Sequence, residues 1–387
     1  MVRQLYLAAT GQNRGKTTVS LGLVDGFRRR GLHTGFIKPV GQRTVLDGGQ
    51  PADEDAVLMK SIFDLPEPYS VMSPVHIPRG FTKAYIAGQV VEDLGARIAA
   101  AHRQFADHEL LLIEGTGHAG VGAVVGLSNA VVAAMLGAPA VIVSEGGVGR
   151  PIDEIVLNAS HFQAHGVRVA GAIVNKVRVD EQPGIEETLR RGLARHGIPL
   201  LGVLPYRPIL SNPTLGMIEE GVHGRVVSQG HDPESVIGSI AIGAMEPHHM
   251  LERVGPTTLV IVPGDREDVI LTLTSAHATT SGIERLVEGL VEATPGAIEA
   301  RPDQRALGMV LTGGYEPRPE VMDAIRRSGM FAVFVEDDTY TVASEIHDLL
   351  VKTHAADAGK IELIKALVWE GLKLTPILDA ASDAVFA

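Results

Sequence analysis

The sequence predicts an α/β protein: a parallel sheet with helices on both faces, followed by a smaller α/β unit. Three observations carry that expectation. Short apolar, β-branched runs alternate with longer amphipathic stretches through the first 205 residues. A glycine-containing turn joins the first apolar run to the first amphipathic stretch. After a segment rich in Pro, Gly and charge, a second and shorter alternation begins. Near-continuous apolar strands separated by helices are the pattern of a parallel sheet covered on both sides.

In chain order, strands are expected at 4–9 (QLYLAA), 33–38 (HTGFIK), 109–114 (ELLLIE), 139–144 (PAVIVS), 168–175 (RVAGAIVN) and 199–204 (PLLGVL). Amphipathic stretches at 16–30, 86–106, 127–136, 151–165 and 183–196 fit the intervening helices. Residues 206–235 break the rhythm with YRPILSNPTLG, EEGVHGR and QGHDPES, and read as a connector with some helix. Strands then follow at 257–262, 306–310 and 331–335, with helices at 266–278, 318–328, near 340–355 and at 359–372. The piece 280–305 reads as an inserted helix plus loop. The expected division is therefore 1–205, a connector at 206–235, and 236–387. No fixed-period repeat of a solenoid is visible.

Composition narrows the function classes. The chain has 387 residues, 45% hydrophobic and 21% charged, which excludes a wholly disordered polymer. Thirty-four basic against 46 acidic residues leave a net charge of −12, which argues against broad binding to nucleic acid or anionic membranes. No cysteine is present, so disulfides, zinc–thiolate sites, iron–sulfur sites and cysteine nucleophiles are excluded, and a reducing compartment fits. The start, MVRQLYLAATGQNRGKTT, lacks the apolar core of a signal peptide. The apolar run near 119–143 is interrupted by Ser128, Asn129 and glycines, so no membrane span is expected and the cytoplasm is the default location.

The strongest chemical signal is Thr10-Gly11-Gln12-Asn13-Arg14-Gly15-Lys16-Thr17-Thr18, directly after a strand and opening a helix. It reads as a phosphate-binding P-loop. Backbone amides cradle phosphate oxygens, Lys16 reaches the β- and γ-phosphates, and the Thr17 hydroxyl can ligate Mg²⁺. The first glycine stands one place later than in the usual pattern, with Thr10 in its position. Mg²⁺ needs hard oxygen ligands, usually one or two carboxylates. Glu114, which ends LLLIE before Gly115-Thr116-Gly117, can supply one, and Asp53, Glu54 or Asp55 in PADEDAVLM the other.

Lys38 closes the second strand and precedes Pro39, which holds its backbone extended. Its ammonium can stabilise a transferring phosphoryl group or an acyl phosphate, or it can be an ordinary surface lysine. Asn175-Lys176 ends another strand, where the amide can bond a purine edge or merely cap the strand. Guanine-specific proteins usually carry Asn-Lys-x-Asp; Arg178 stands at the fourth position here, which favours adenine. In the second unit, Asp265, Arg266 and Asp268 lie at one strand-to-helix turn and Leu311-Thr312-Gly313-Gly314 at another. Such turns can bind an adenine nucleotide or build a dimer interface; alternatively, the acids serve only the helix start.

With these residues in view, the first 205 residues resemble the dethiobiotin synthetase-like branch of P-loop proteins, which includes the cobyrinic acid a,c-diamide synthase relatives. The offset P-loop, IKPV, EDA, IEGTGHAG, SEGGVGRPIDEI, GAIVNKV and LGVLP carry the resemblance. It is nearest to the variant in the N-terminal part of long phosphate acetyltransferases. The remainder resembles the companion DRTGG domain through IGAMEPHHML, PGDREDVI and LTGG.

The resemblance implies that Lys16, Thr17, Asp55 and Glu114 form a Mg²⁺–ATP site. It places Lys38 near the reacting groups, and Asn175 with Leu204-Pro205-Tyr206 around the adenine. It also implies a homodimer.

Two functions are expected to compete. One is an ATP-dependent ligase that activates a carboxylate or carbamate to form an amide or urea, with Lys16 and Lys38 as its catalytic cations. The other is a nucleotide-responsive regulatory module acting on a protein partner through the DRTGG domain. A nicotinamide oxidoreductase is excluded, because the first strand-turn lacks G-x-G-x-x-G.

Overall fold

The computed structural model describes residues 2–178, 183–230, 232–289, 305–349 and 351–383. The chain divides into two units, Met1–Arg207 together with Thr353–Ala387, and Pro208–Lys352. Among the described residues no helix is long and apolar enough to cross a membrane.

The first unit is built on six parallel strands: β1 (Arg3–Ala9), β2 (Thr34–Ile37), β3 (Leu110–Glu114), β4 (Ala140–Glu145), β5 (Val169–Val177) and β6 (Leu200–Pro205). Their order is β6-β5-β4-β1-β3-β2. The strand interiors are buried on both faces, as their unbroken apolar runs require. Covering helices are α1 (Lys16–Arg29), α2 (Glu54–Phe63), α3 (Leu94–Arg103), α4 (Asn129–Leu136), α5 (Gly149–Ala164) and α6 (Ile185–Ala194). Because β1 lies between β3 and β4, the chain order reverses beside it, and ligands of open α/β sheets bind at the carboxyl ends of strands at such a switch point.

Two local expectations change. The helix expected over 86–106 is confined to α3, started by Asp93 accepting from the Ala96 amide at 2.9 Å, and a separate short helix, Phe81–Ile86, precedes it. A hairpin, Thr44–Asp47 with Gln50–Asp53, stands before α2. Its turn is Gly48-Gly49, both at positive φ.

The second unit holds β7 (Arg225–Ser228), β8 (Ser239–Ile242), β9 (Thr258–Pro263), β10 (Gly308–Thr312) and β11 (Phe331–Phe334), in the order β7-β11-β10-β9-β8. Strands β8 to β11 are parallel and β7 is antiparallel to β11. Helices α7 (Glu267–Gly289), α8 (Pro319–Ser328) and α9 (Thr339–Asp348) accompany them. Helix α7 runs well past the expected 278, and the rest of the expected insertion, 290–304, lies outside the described residues. The segment expected as a connector carries a helix (Leu215–Gly221) and β7, and belongs to this unit.

The expected second domain, 236–387, differs from the observed division at its far end. Residues from Thr353 onward return to the first unit. There α10 (Ala358–Gly371) packs on α1, and β12 (Ser382–Asp383) pairs antiparallel with Arg3 and Gln4 of β1. The contact with α1 is close because two of its residues have no side chain. A Cβ on Gly22 would lie 2.3 Å from Val368 of α10, and one on Gly26 2.7 Å from Leu374 in the short helix that follows, Leu374–Asp379. The apolar residues Ile361, Ile364, Leu367 and Val368 form the buried face of α10.

Candidate functional site

At the carboxyl end of β1 the chain turns into residues 10–15 and then α1. The turn is pinned at both sides, Ala9 N donating to Gly117 O (3.1 Å) and Thr10 N to Val143 O (2.9 Å). Gly15 begins the helix at φ 87°, and a Cβ there would lie 2.0 Å from Asn175 Nδ2. Position 15 therefore accepts only glycine. No side chain caps α1 and its first turn holds no acid, so its leading amides remain available to an anion. Lys16 is buried, and burial, reinforced by the neighbouring Lys38 charge, lowers its ammonium to about 8; Glu114 and Asp55 oppose the shift.

Beside Lys16 lies a buried cluster. The Lys38 ammonium donates to Asp55 Oδ2 and to Glu114 Oε1, the latter at 2.8 Å, with Asp53 Oδ1 at 4.0 Å. Thr17 Oγ1 donates to Asp55 Oδ1 (2.9 Å) and lies 3.4 Å from Glu114 Oε1. Burial alone would discharge Lys38, but Asp55, Glu114 and Asp53 together hold its ammonium well above the ordinary range. Burial raises Glu114 against the pull of Lys38, whereas for Asp55 the bonds from Lys38 and Thr17 overcome burial and hold it at about 2.

The three neighbouring acids have separate tasks. Asp53 caps α2, accepting from the Asp55 amide at 3.1 Å; Glu54 pairs with Arg43 at 3.2 Å; Asp55 reaches Thr17.

The loop after Glu114 is held by two residues that sequence reasoning missed. Tyr6 Oη donates to Asn129 Oδ1 at 2.8 Å. Asn129 Oδ1 also accepts from Thr116 N (3.0 Å), while its Nδ2 donates to the carbonyls of Thr116 (2.7 Å) and His118 (2.6 Å). A Cβ on Gly115 would meet Asn129 at 2.5 Å. A tyrosine within an apolar strand and an asparagine opening a helix give no signal of this pairing until the fold joins them.

The residues expected around a base lie at the ends of β5 and β6. Asn175 Nδ2 donates to the Arg14 carbonyl at 3.2 Å, so the amide braces the P-loop. Leu204 is buried and its side chain packs by Gly371, leaving only its main chain for a ligand. Tyr206 stands just beyond β6, its ring 4.9 Å from the Arg178 guanidinium. Gln12 and Asn13 are exposed at the tip of the loop, and Thr18 is half-buried in the first turn of α1.

The donors fit a magnesium–phosphate group. Glu114 Oε2 is buried with no hydrogen-bond partner, beside a hydroxyl and a second carboxylate. Among the described residues no three His, Cys, Asp or Glu side chains are grouped to hold a metal by themselves.

In the second unit, Arg266 pairs with Asp268 (3.0 Å) and donates to the carbonyls of Ala244 (3.2 Å) and Met245 (2.9 Å). Thr312 and Thr339 share a hydrogen bond of 2.7 Å, and Gly313 N donates to Asp337 O at 2.8 Å. Arg266, Asp268 and Thr312 thus bond within the unit.

Comparison with known proteins gives two matches along the chain, an AAA domain over residues 3–214 and a DRTGG domain over 217–349. A phosphate acetyltransferase of Pseudomonas aeruginosa is 25% identical over 384 residues, 94% of this chain and 50% of that protein. One from Pseudomonas putida is 27% identical, over 95% of this chain and 50% of its own length. The chain thus spans about half the length of the curated relatives it matches.

Among solved structures, the septum site-determining protein MinD of Pyrococcus horikoshii, complexed with Mg-ADP, shares 15% identity over 54% of this chain and 83% of its own, with a TM-score of 0.35. The CBS and DRTGG domains of Clostridium perfringens pyrophosphatase, complexed with diadenosine tetraphosphate, share 14% over 41% and 63%, with a TM-score of 0.28. With its parallel sheet, its phosphate loop and the match across 3–214, the chain belongs to the AAA domain family of P-loop proteins, and a DRTGG domain follows the P-loop domain as it does in phosphate acetyltransferases of this architecture.

Proposed function

We propose that the first unit binds Mg²⁺–ATP and that the chain works as a nucleotide-responsive module, its DRTGG domain passing the state of the site to a partner. One observation carries the reading. The open amides of α1, Lys16 and Thr17 meet a buried carboxylate with an unpartnered oxygen, Glu114 Oε2. The amides and Lys16 would hold the phosphates. Thr17, Asp55 and Glu114 would hold the metal, which when bound supplies charge neutralisation of the phosphate oxygens. Arg178, standing where a guanine-specific site has its acid, favours adenine. The match to relatives named phosphate acetyltransferase over about half their length is consistent with a module that accompanies acetyl transfer.

A second reading is ligation, in which ATP activates a carboxylate or carbamate. Lys38 favours it, a buried ammonium on the phosphate side of the sheet. Calorimetry of the intact protein with Mg-ATP, Mg-ADP and Mg-GTP is the test, with Lys16→Ala as control. Absence of heat with every nucleotide would refute the site. ADP release above the K16A background, with a panel of amine and carboxylate substrates, would move the conclusion to ligation. Light scattering with and without Mg-ATP checks the homodimer implied by resemblance.

A further inference from the structure

Glu114 and Lys38, which meet in the buried cluster, come from neighbouring strands: Glu114 ends β3 and Lys38 follows β2 by one residue. The loop after Glu114 is bonded on both sides. Toward β1, Gly115 N donates to Leu7 O (2.8 Å) and Gly117 O accepts from Ala9 N (3.1 Å), just ahead of the phosphate loop. Toward β2, Thr116 Oγ1 donates to the Val40 carbonyl at 2.5 Å, two residues beyond Lys38. Residues 115–117 therefore join the three strand ends that carry the phosphate loop, Glu114 and Lys38.

One side chain fixes that junction. Asn129 is only 4% exposed, and its amide uses all four of its hydrogen-bonding positions. Oδ1 accepts from Thr116 N (3.0 Å) and Tyr6 Oη (2.8 Å), while Nδ2 donates to the carbonyls of Thr116 (2.7 Å) and His118 (2.6 Å). Two carbonyls can be met only by donors, so the amide has one permitted orientation. The main chain of Asn129 is held as well, its N–H donating to Val121 O (3.2 Å) and Ser128 capping α4 at the Val131 amide (3.2 Å). Gly115 leaves the room this needs: a Cβ there would lie 2.5 Å from Asn129 Oδ1 and 2.9 Å from Tyr6 Oη.

We propose that Asn129 is a positioning residue for the metal at the P-loop. Acting through the 115–117 loop, it sets where Glu114 and Lys38 stand, and with them Glu114 Oε2, the buried oxygen that has no partner. Thr116 carries its hold across to the Lys38 side. The grip on phosphate draws on a different set, the leading amides of α1 and Lys16. Loss of Asn129 should therefore weaken the metal ahead of the nucleotide. Residues that orient metal ligands from behind typically change metal affinity about 10–100-fold when altered. This role rests on nucleotide binding at the P-loop and adds to it the residue that governs how much Mg²⁺ contributes.

Calorimetry on the intact protein, with ATP in Mg²⁺ and with ATP in a chelator, reads the gain in affinity that the metal brings. In Asn129→Ala that gain should fall at least about tenfold, while metal-free ATP affinity stays within about threefold of the unaltered protein. Thr116→Val keeps the branched shape and loses the hydroxyl that reaches Val40, so the gain should fall about three- to tenfold. Tyr6→Phe leaves Asn129 three of its four bonds and should lower the gain by less than about threefold.

Equal weakening of ATP with and without Mg²⁺ in N129A, as a merely structural support would give, overturns the proposal, and so does an unchanged gain. If circular dichroism shows that N129A does not fold, T116V decides, and an unchanged gain in that variant overturns the proposal. An unaltered protein that gains nothing from Mg²⁺ also overturns it, whereas one that binds ATP in neither condition removes the P-loop reading itself.

Discussion

Replacing Lys38 by methionine tests the electrostatics of the site most directly. At an effective dielectric of about 20, one ion pair at the 2.8 Å separation of Lys38 and Glu114 attracts by roughly 6 kcal/mol, much of it offset by desolvation. Removing the cation leaves Asp55 and Glu114 facing each other in a buried site, and stranding a buried charge in this way typically costs about 3–5 kcal/mol. That loss should be measured at pH 7 by urea denaturation. The protein's one tryptophan, Trp369, lies in the first unit and supplies the fluorescence.

The pH profile distinguishes lost charge from lost packing. The folded-state pKa of Lys38 is raised, so its contribution is intact below the unfolded value and is lost only as pH climbs through the folded one, above the 5–8 window. In Lys38→Met the bare carboxylates instead acquire raised values, and the variant should recover stability relative to the parent as pH falls from 8 to 5. Adding Glu114→Gln should restore most of the deficit. A loss under about 1 kcal/mol, or a deficit independent of pH, would refute the reasoning.

Four shorter predictions follow from other contacts. Gly15→Ala places a methyl 2.0 Å from the Asn175 amide at φ 87°, so Mg-ATP heat should vanish in calorimetry, and adding Asn175→Ala should not restore it, because the backbone conformation remains wrong. The Lys16 ammonium, lowered to about 8, is partly discharged in the empty site at pH 8, so ATP binding there should take up protons and weaken as pH rises toward 9. Calorimetry in buffers of different ionisation enthalpy reads both effects. Asp55, held at about 2 against an ordinary 3.8, stabilises the fold by roughly 2 kcal/mol at neutral pH; that share should fade as pH drops from about 4 to 2 and be missing in Asp55→Asn. Gly22→Leu should push α10 off α1, costing about 1–3 kcal/mol and raising hydrogen exchange over 358–371.

The parts of the molecule written in local pattern were legible. Six apolar runs separated by helical stretches announced the sheet, and Gly15-Lys16-Thr17 after a strand announced the P-loop family. The hairpin at 44–53 carries a local signal too, Gly48-Gly49 between two short extended runs. Other features depend on distant partners. Asp53, Glu54 and Asp55 are chemically equivalent until α2 turns one to Thr17, one to Arg43 and one to its own helix amides. Asn175 has the chemistry to read a base, and only the fold shows that the gap left by Gly15 also brings its amide to the Arg14 carbonyl. The apolar face of 359–372 shows that a helix must be covered without saying by what, and chain proximity pointed to the wrong unit.

The late return of α10 bears on how the molecule is made and dissected. Since Pro208–Lys352 interrupts the first unit, the glycine-lined side of α1 waits for residues synthesised some 340 positions afterwards. A fragment stopped near residue 207 would present that side, together with the Arg3–Gln4 edge, to water and to other nascent chains. A chaperone-free translation of such a fragment should yield aggregates, whereas a fragment of 1–207 joined by a short linker to 353–387 has every piece of the first unit.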